Sequence, residues 1–315
     1  VDMGAGDDYI ALMLSGTNGT PTIANANFTK LDGGSGTDTL SFGESETNNA
    51  ELNLSMGNAV NFENIYGTSG TETIKGDANA NLLRGGRGGS DTIYGYAGND
   101  ILYGHGQDSD SASDSSYTSA KTLYGGEGDD TLYGGAGEDI LDGGTGKDTL
   151  TGGGGIDTFV IRSGDGSSDL ASTNVVEDFE DTIDYFSLDS ISYADLVIAQ
   201  GTGDNENNTY IKDSNNNYLL ALKDISSSTI SPEDFSSSST ENQTYDGNSS
   251  NNVLIGGSGN DTFNGGSGSD NIYGNAGNDT ININNKSGSF VDTINGGSGT
   301  DSLIITYSGI SNLGD

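Results

Sequence analysis

The sequence predicts an all-β fold: a parallel β-roll, or solenoid of short strands, in two arrays with a non-repeat β-rich capping insert between them. The first observation behind this prediction is that Gly125 to Val160 reads as four consecutive nine-residue units, GGEGDDTLY, GGAGEDILD, GGTGKDTLT and GGGGIDTFV. The second is that each unit ends in a triplet whose middle residue is large and apolar, the out-in-out alternation of a short strand. The third is that only 31% of the 315 residues are hydrophobic. One unit therefore buries almost nothing, and stacked copies must share a column.

The repeating unit has the form Gly-Gly-x-Gly-x-Asp-x-U-x, where U is a large apolar residue. Six of its residues suit a tight turn, because glycine reaches positive φ without steric cost, and three suit a strand. Two units therefore predict one 18-residue coil with two strands and two turns. The predicted inward residues are Ile74, Leu83, Ile93, Leu102, Leu123, Leu132, Leu141, Leu150 and Phe159, then Leu254, Phe263, Ile272, Ile281, Ile294 and Leu303.

Composition excludes several classes of partner. The formal net charge is -37, and there is no cysteine. Nucleic-acid phosphates require Lys and Arg, and anionic membrane surfaces repel negative charge, so we expect neither partner. No apolar run approaches the roughly 18 residues of a transmembrane helix, which argues against membrane insertion. Low hydrophobicity with such a charge predicts disorder unless cations bind.

The chain divides by pattern into four regions. We predict irregular N-terminal β-roll coils over residues 1–66, the main array over 67–160, a non-repeat β-rich cap and linker over 161–244, and a second array over 245–315. The insert contains a predicted hairpin about the SNNN turn and a short helix with Ser231 as N-cap and Pro232 at its first position. Within the main array, the unit that starts at Gly104 carries 12 extra residues.

The nonapeptide resembles the glycine-aspartate repeat of RTX proteins, a calcium-binding family. The resemblance implies a protein exported unfolded by type I secretion machinery, which folds on Ca²⁺ outside the cell or at the bacterial cell surface. Two arrays around an insert suit a fragment of a large RTX adhesin or surface protein, with a cell-surface glycan or protein as a further partner. The alternatives are an accessory module of a secreted protease, lipase or epimerase whose catalytic domain is absent, and a surface-layer protein segment.

The aspartate of each unit is the predicted calcium ligand, because carboxylate and carbonyl oxygens are the hard donors that Ca²⁺ prefers. These residues are Asp8, Asp38, Asp91, Asp100, Asp130, Asp139, Asp148, Asp157, Asp261, Asp270, Asp279, Asp292 and Asp301. We expect about ten ions to bind at such oxygen sites.

Aspartates one coil apart should lie on the same edge of the roll. The predicted pairs are Asp130/Asp148, Asp139/Asp157, Asp100/Asp130, Asp261/Asp279, Asp279/Asp301 and Asp270/Asp292. Two carboxylates this close are costly unless a cation lies between them. Glu72 and Asn81 replace Asp and predict weaker sites. Lys121 occupies an Asp position, and we expect its ammonium to stand in for the ion and to empty the sites on either side.

Catalytic residues are not predicted. The sequence shows no HExxH, no GxSxG and no catalytic carboxylate set, so we expect no enzyme activity. His105 is interpreted as a surface histidine, and Asp108, Asp110 and Asp114 as a solvated acidic loop. Tyr94 should stack near Tyr124, and Tyr103 near Tyr133. We interpret these ladders as packing that covers the sheets, with stacking on sugar rings or a partner surface as the alternative.

Overall fold

The computed structural model describes residues 1–12, 14–15, 22–23, 30–42, 50–54, 59–105, 118–284 and 291–306. The described residues form an all-β fold with mostly parallel sheets, which confirms the predicted fold class. Short 3-10 turns lie at Leu170–Ser172, Tyr193–Asp195, Gly203–Asn205 and Pro232–Asp234. Across the described ranges, no helix has the length and apolar character needed to cross a membrane.

The strands are two to six residues long. In chain order they are β1 Tyr9–Ala11, β2 Leu14–Ser15, β3 Thr22–Ile23, β4 Leu31–Asp32, β5 Thr39–Ser41, β6 Ala50–Asn53, β7 Ala59–Val60, β8 Asn64–Tyr66, β9 Glu72–Lys75, β10 Leu82–Arg84, β11 Thr92–Ala97, β12 Ile101–Tyr103, β13 Thr122–Glu127, β14 Thr131–Gly135, β15 Ile140–Thr145, β16 Thr149–Gly153, β17 Thr158–Arg162, β18 Asn174–Val176, β19 Tyr185–Asp189, β20 Leu196–Gln200, β21 Thr209–Asp213, β22 Tyr218–Leu222, β23 Phe235–Ser237, β24 Thr244–Asp246, β25 Val253–Ile255, β26 Thr262–Asn264, β27 Asn271–Tyr273, β28 Thr280–Asn284, β29 Thr293–Asn295 and β30 Ser302–Thr306.

Successive strands of the main array alternate between two sheets. One sheet has the order β1-β5-β8-β10-β12-β14-β16-β18-β22-β21-β20, and the facing sheet has the order β23-β19-β17-β15-β13-β11-β9-β6. Each strand therefore pairs with the strand two places along the chain rather than with its immediate neighbour. This alternation is the two-strand coil that the nonapeptide predicts.

Register follows the unit length. In the regular units, Thr122 pairs with Ile140, 18 residues on. Across the long unit, Thr92 pairs with Thr122, 30 residues on. The difference equals the 12 extra residues counted in the sequence. The insertion therefore leaves the strand register intact; residues 106–117, which include Asp108, Asp110 and Asp114, lie outside the described residues.

The core consists of inward side chains in two clusters, a long one through the main array and the insert and a smaller one in the second array. All the predicted inward residues of the main array, from Ile74 to Phe159, are at most 1% exposed, and Phe263, Ile272 and Ile281 are at most 2% exposed. Leu303 is a correction to the sequence prediction, because it is 50% exposed. It lies on β30, which pairs only with β28 among the described strands, so no further described coil covers its face.

The non-repeat insert continues the roll. Strand β18 pairs with β16, β19 with β17, and β23 with β19, all in parallel. The predicted hairpin forms from β21 and β22 in antiparallel register. The predicted short helix is a single 3-10 turn, Pro232–Asp234, capped by Ser231. The four-region division itself stays a prediction, because the two long sheets run through residues 66 and 160.

The second array repeats the plan with fewer coils. Strands β24, β26, β28 and β30 form one parallel sheet, and β25, β27 and β29 form the other. It adjoins the insert through the backbone, because Ser237 N donates to Gly256 O at 2.8 Å and Ser258 N donates to Ser239 O at 3.0 Å. Ile255 and Tyr273 join the main core cluster.

Candidate metal sites

A ladder of carboxylates follows each edge of the roll, just before the strands. Asp130 N donates to Asp148 Oδ1 at 2.9 Å, and Asp139 N donates to Asp157 Oδ1 at 2.9 Å. The structure thus brings both predicted pairs of the regular run together. The same bond joins Asp8 to Asp38, Asp100 to Asp130, Asp261 to Asp279, Asp270 to Asp292 and Asp279 to Asp301.

The second carboxylate oxygen of these aspartates is the unusual atom. In the part of the chain that the structure describes, seven aspartate Oδ2 atoms are buried without a hydrogen-bond partner, those of Asp8, Asp38, Asp100, Asp130, Asp139, Asp148 and Asp279. Buried polar atoms normally have partners, because desolvation without a hydrogen bond is costly. A row of such oxygens at a fixed offset indicates a missing class of partner, and only a cation suits several carboxylates at once.

Burial alters the acidity of these groups. It raises the pKa of Asp100, Asp148 and Asp157 to about 7, with the neighbouring carboxylate of each adding a smaller effect in the same direction. It raises the pKa of Asp130 and Asp139 to about 6, while backbone N–H donors to their carboxylates offset part of the rise. Without a cation, these five carboxyl groups therefore take up protons at a higher pH than an exposed aspartate does.

Lys121 shows which atoms surround a cation at this edge. Its Nζ donates to Gly88 O at 2.9 Å, to Gly89 O, and to Asp91 Oδ2 at 2.9 Å. The Lys121 and Asp91 side chains are 1% and 0% exposed. The ammonium thus lies among two carbonyl oxygens and one carboxylate oxygen of a single turn. In the regular units, the corresponding carbonyls belong to the third and fourth residues.

The ammonium lies on one side of its coil only. Toward the next coil, Lys121 donates its backbone N–H to Asp139 Oδ1 at 2.7 Å, and Asp139 Oδ2 stays without a partner. Burial raises the pKa of Asp91, and the charge of Lys121 counteracts that rise. The structure therefore places a cation stand-in beside Asp91 and none beside Asp139, whereas the sequence predicted an effect on both sides.

The two degenerate units satisfy their side chains internally. Glu72 accepts hydrogen bonds from Thr68 Oγ1 and from Thr68 N. Asn81 Oδ1 accepts a hydrogen bond from Asp77 N at 2.8 Å. Because these oxygens already have donors, they offer less to an ion than the unpartnered aspartates do. The weaker sites expected in the early units stay a prediction.

Sequence reasoning missed residues that extend the ladders beyond the glycine-rich units. Asp38 N donates to Glu63 Oε2, Asp148 N to Asn174 Oδ1, and Asp157 N to Asp184 Oδ1. Their signal is the triplet without the glycines: Asp184-Tyr185-Phe186 has the same Asp-x-apolar spacing as Asp157-Thr158-Phe159, and Phe186 is fully buried.

The remaining predicted ligands have distinct surroundings. Asp261 Oδ2 accepts from Gly257 N at 3.1 Å, and its Oδ1 accepts from Gln243 N. Asp270 is buried and accepts from Asn252 N through Oδ1. At the end of the second array, Asp292 is half-buried and Asp301 is exposed. The second array therefore offers a less enclosed environment at its last described coils.

The predicted stacking of the tyrosines is confirmed, and the predicted exposure of His105 is wrong. The tyrosine ladders form, with ring centroids 4.9 Å apart for Tyr94 and Tyr124 and 4.8 Å apart for Tyr103 and Tyr133. The surface interpretation of His105 is wrong, because its side chain is buried. It occupies the second turn position, where the four regular units have glycine, and its ring lies against Gly135 of the next coil.

The donor set suits calcium. In the described part of the chain, no group of three or more His, Cys, Asp or Glu side chains gathers around one point. The aspartate pairs instead bring carboxylates of adjacent coils together, and the Lys121 ammonium shows two backbone carbonyls beside one such carboxylate. Six to eight hard oxygens in flexible geometry are what Ca²⁺ takes, whereas Zn²⁺ prefers nitrogen and sulfur ligands. The assignment of the thirteen aspartates as ligands stays a prediction.

Comparison with known proteins identifies the repeat. The model of the RTX calcium-binding nonapeptide repeat (4 copies) matches residues 66–88, 86–109, 124–159, 246–281 and 287–304. No curated protein matches the chain. Among solved structures, the chain is similar to the solution structure of the AlgE6R3 subunit from the Azotobacter vinelandii mannuronan C5-epimerase, with 22% identity, a TM-score of 0.22, and coverage of 52% of this chain and 77% of that chain. At this TM-score the likeness carries no argument about function.

Proposed function

We propose, from the premise that this chain carries RTX calcium-binding nonapeptide repeats, that it is the calcium-folded structural and adhesive region of a secreted protein. One observation supports the proposal above all: the row of buried aspartate Oδ2 atoms without partners, at one-coil spacing along the edges of the roll. Calcium between the coils would be held by these oxygens and by the carbonyls of the preceding turn. The ion supplies the positive charge that the ladder lacks.

Folding and ion binding are one equilibrium in this proposal. Each strand of the main array contributes one inward apolar side chain per nine-residue unit, so hydrophobic burial per residue is small. Bringing carboxylates together across coils opposes folding until cations neutralise them. Binding free energy therefore becomes folding free energy, as in other small metal-dependent domains. About ten divalent ions would offset roughly half of the formal net charge of -37.

The coupling of folding to calcium binding suits a protein that is exported unfolded. A chain that stays unfolded at low cytosolic calcium and folds at the millimolar calcium outside the cell suits passage through type I secretion machinery. Extracellular calcium modules bind in the range of about 10⁻⁴–10⁻³ M, which matches that difference. We place the folded region outside the cell or at the bacterial surface, with a glycan or protein as its partner.

Circular dichroism with and without calcium tests the folding part. We expect a disordered spectrum in excess chelator, a β-rich spectrum in millimolar Ca²⁺, and a cooperative transition between them. Isothermal titration calorimetry then counts the ions. Magnesium is the matched control, because its strict octahedral geometry suits these flexible sites poorly. A native-like spectrum in excess chelator would falsify the proposal.

A further inference from the structure

A groove of about 290 Å³ lies on the outer face of the main array, beside the stacked tyrosines. Tyr94, Tyr96 and Tyr124 form one wall, and Asp142, Arg162 and Asp165 form another. The floor is backbone, because Tyr96 pairs with Gly126 and Gly126 pairs with Gly144 on successive strands. Tyr124 pairs with Asp142 on the adjacent strand, so the aromatic wall and the polar wall meet beside this glycine floor.

Tyr96 has an unfavourable backbone conformation that its own burial does not explain. Its φ is 78°, in the left-handed region, where the next two coils have Gly126 at φ 118° and Gly144 at φ 89°. A non-glycine residue there costs about 1 kcal/mol or more. Burial does not compensate this cost, because the residue is 48% exposed. Its ring lies parallel to Tyr94, with the ring centroids 5.9 Å apart and the planes inclined by 16°.

The polar wall is rigid. Arg162 donates through its two terminal nitrogens to both carboxylate oxygens of Asp142, and through Nε to Asp189 Oδ2 at 2.9 Å. These bonds occupy three of the five guanidinium N–H groups, which leaves two donors. The carboxylate of Asp165, whose pKa burial raises to about 6, adds acceptors beside them. Planar groups fixed in this way suit pairs of neighbouring hydroxyls.

On the opposite edge of the roll, side chains occupy the corresponding row of second turn positions. There the residue equivalent to Tyr96 is His105, whose buried ring covers Gly135. Further along, Asp178 accepts hydrogen bonds from Gly152 N and Gly153 N, both at 2.9 Å. The glycine floor is therefore common to the fold, whereas the open groove with an aromatic wall belongs to the Tyr96 edge.

We propose that this groove binds a neutral sugar ring, presented by an uncharged oligosaccharide. An aromatic wall offers its apolar surface to the C–H face of a pyranose, and the Arg162, Asp142 and Asp165 wall offers donors and acceptors to its hydroxyls. The lining carries the three carboxylates of Glu127, Asp142 and Asp165 against one guanidinium. This negative balance repels uronates and sulfated sugars. The site specifies the glycan part of the proposed function and requires the folded roll.

Calorimetric titration of the calcium-loaded chain with neutral tetrasaccharides of glucose, galactose and mannose tests the inference, with an oligouronate as the charged comparison. We expect at least one neutral tetrasaccharide to bind and the oligouronate not to bind. Tyr96→Gly should weaken binding by about tenfold or more through the lost ring contact. The same change should preserve or improve folding, since glycine suits the φ of this position. Tyr96→Phe keeps the ring and should keep binding.

Tyr133→Thr is the matched control, because it removes a stacked ring from the other sheet and leaves the groove intact. A calcium-folded chain that binds none of the neutral sugars would overturn the inference while leaving the folding proposal standing. Binding that survives Tyr96→Gly, or preference for the oligouronate, would also overturn it. Sugar binding by a chain that is folded without calcium would support the groove and refute the calcium proposal instead.

Discussion

Replacing Lys121 by methionine removes a buried cation, and we expect the folded chain to bind an additional Ca²⁺ in its place. The Lys121 and Asp91 side chains are 1% and 0% exposed and 2.9 Å apart. Removing one partner of such a buried pair leaves an uncompensated charge, at a cost of about 3–5 kcal/mol. Methionine keeps the aliphatic length of the side chain, so the loss concerns charge rather than packing. We expect the free energy of unfolding of Lys121→Met to fall by this amount at the lowest calcium concentration that folds the wild-type chain.

Added calcium should then restore the free energy of unfolding that Lys121→Met loses. The vacated oxygens of Gly88, Gly89 and Asp91 form one more candidate site, which exists only in the folded chain. By linkage, a new site adds about 1.4 kcal/mol of stability for each tenfold rise in calcium above its Kd. A deficit of about 3–5 kcal/mol should therefore close over two to four decades of calcium concentration.

Urea unfolding at a series of fixed calcium concentrations, followed by tyrosine fluorescence, measures the deficit, and calorimetry measures the ion count. We expect Lys121→Met to bind one calcium more than the wild-type chain. Lys147→Met is the control, because Lys147 lies one position before the ladder in its unit and is exposed. A deficit that does not change with calcium, with an unchanged ion count, would show that the ammonium does not occupy an ion position.

Three further outcomes are expected. Asp148→Asn keeps the oxygen that accepts from Asp130 N but loses the charge, so this variant should bind fewer calcium ions and need more calcium to fold. The control is Asp129→Asn at an exposed position, which should change neither quantity. Calorimetry counts the ions bound by each variant. Gly143→Ala places a Cβ 2.3 Å from Asp148 Oδ2 and should cost about 1–3 kcal/mol in urea unfolding, whereas Gly154→Ala meets nothing within 4 Å and should be neutral. Because burial raises the pKa of Asp130 to about 6 and the pKa of Asp148 to about 7, the stability that their protonation gives the metal-free roll is present at lower pH and is lost as pH rises through these values. Circular dichroism in chelator should therefore show more β-structure at pH 5 than at pH 8, and equal disorder at both would contradict the raised values.

The sequence predicted the parts of the fold that repeat. The period, the inward residues of the main array and the pairing of aspartates one coil apart all follow from a recurring unit, so one stacking rule predicts these features. Even the long unit was predictable, because Thr122 regains the register of Thr92 whatever the intervening loop does.

The rest depended on contacts that the repeat does not encode. The ladder continues through Asn174 and Asp184 because the insert keeps a strand at each coil position although its glycines are gone. The one-sided placement of the Lys121 ammonium depends on which turn its side chain reaches, and the burial of His105 depends on a glycine in the next coil. Long-range packing of this kind overrides residue type, and a single sequence does not show it.

The spacing between paired strands also determines how the chain reaches this structure. In the regular units each strand meets a partner 18 residues away, for example Thr122 with Ile140. In the insert the separation grows to 49 residues between Phe186 and Phe235. Closing the longer loop costs about 1 kcal/mol more in chain entropy. We therefore expect coils to form more readily within an array than across the insert.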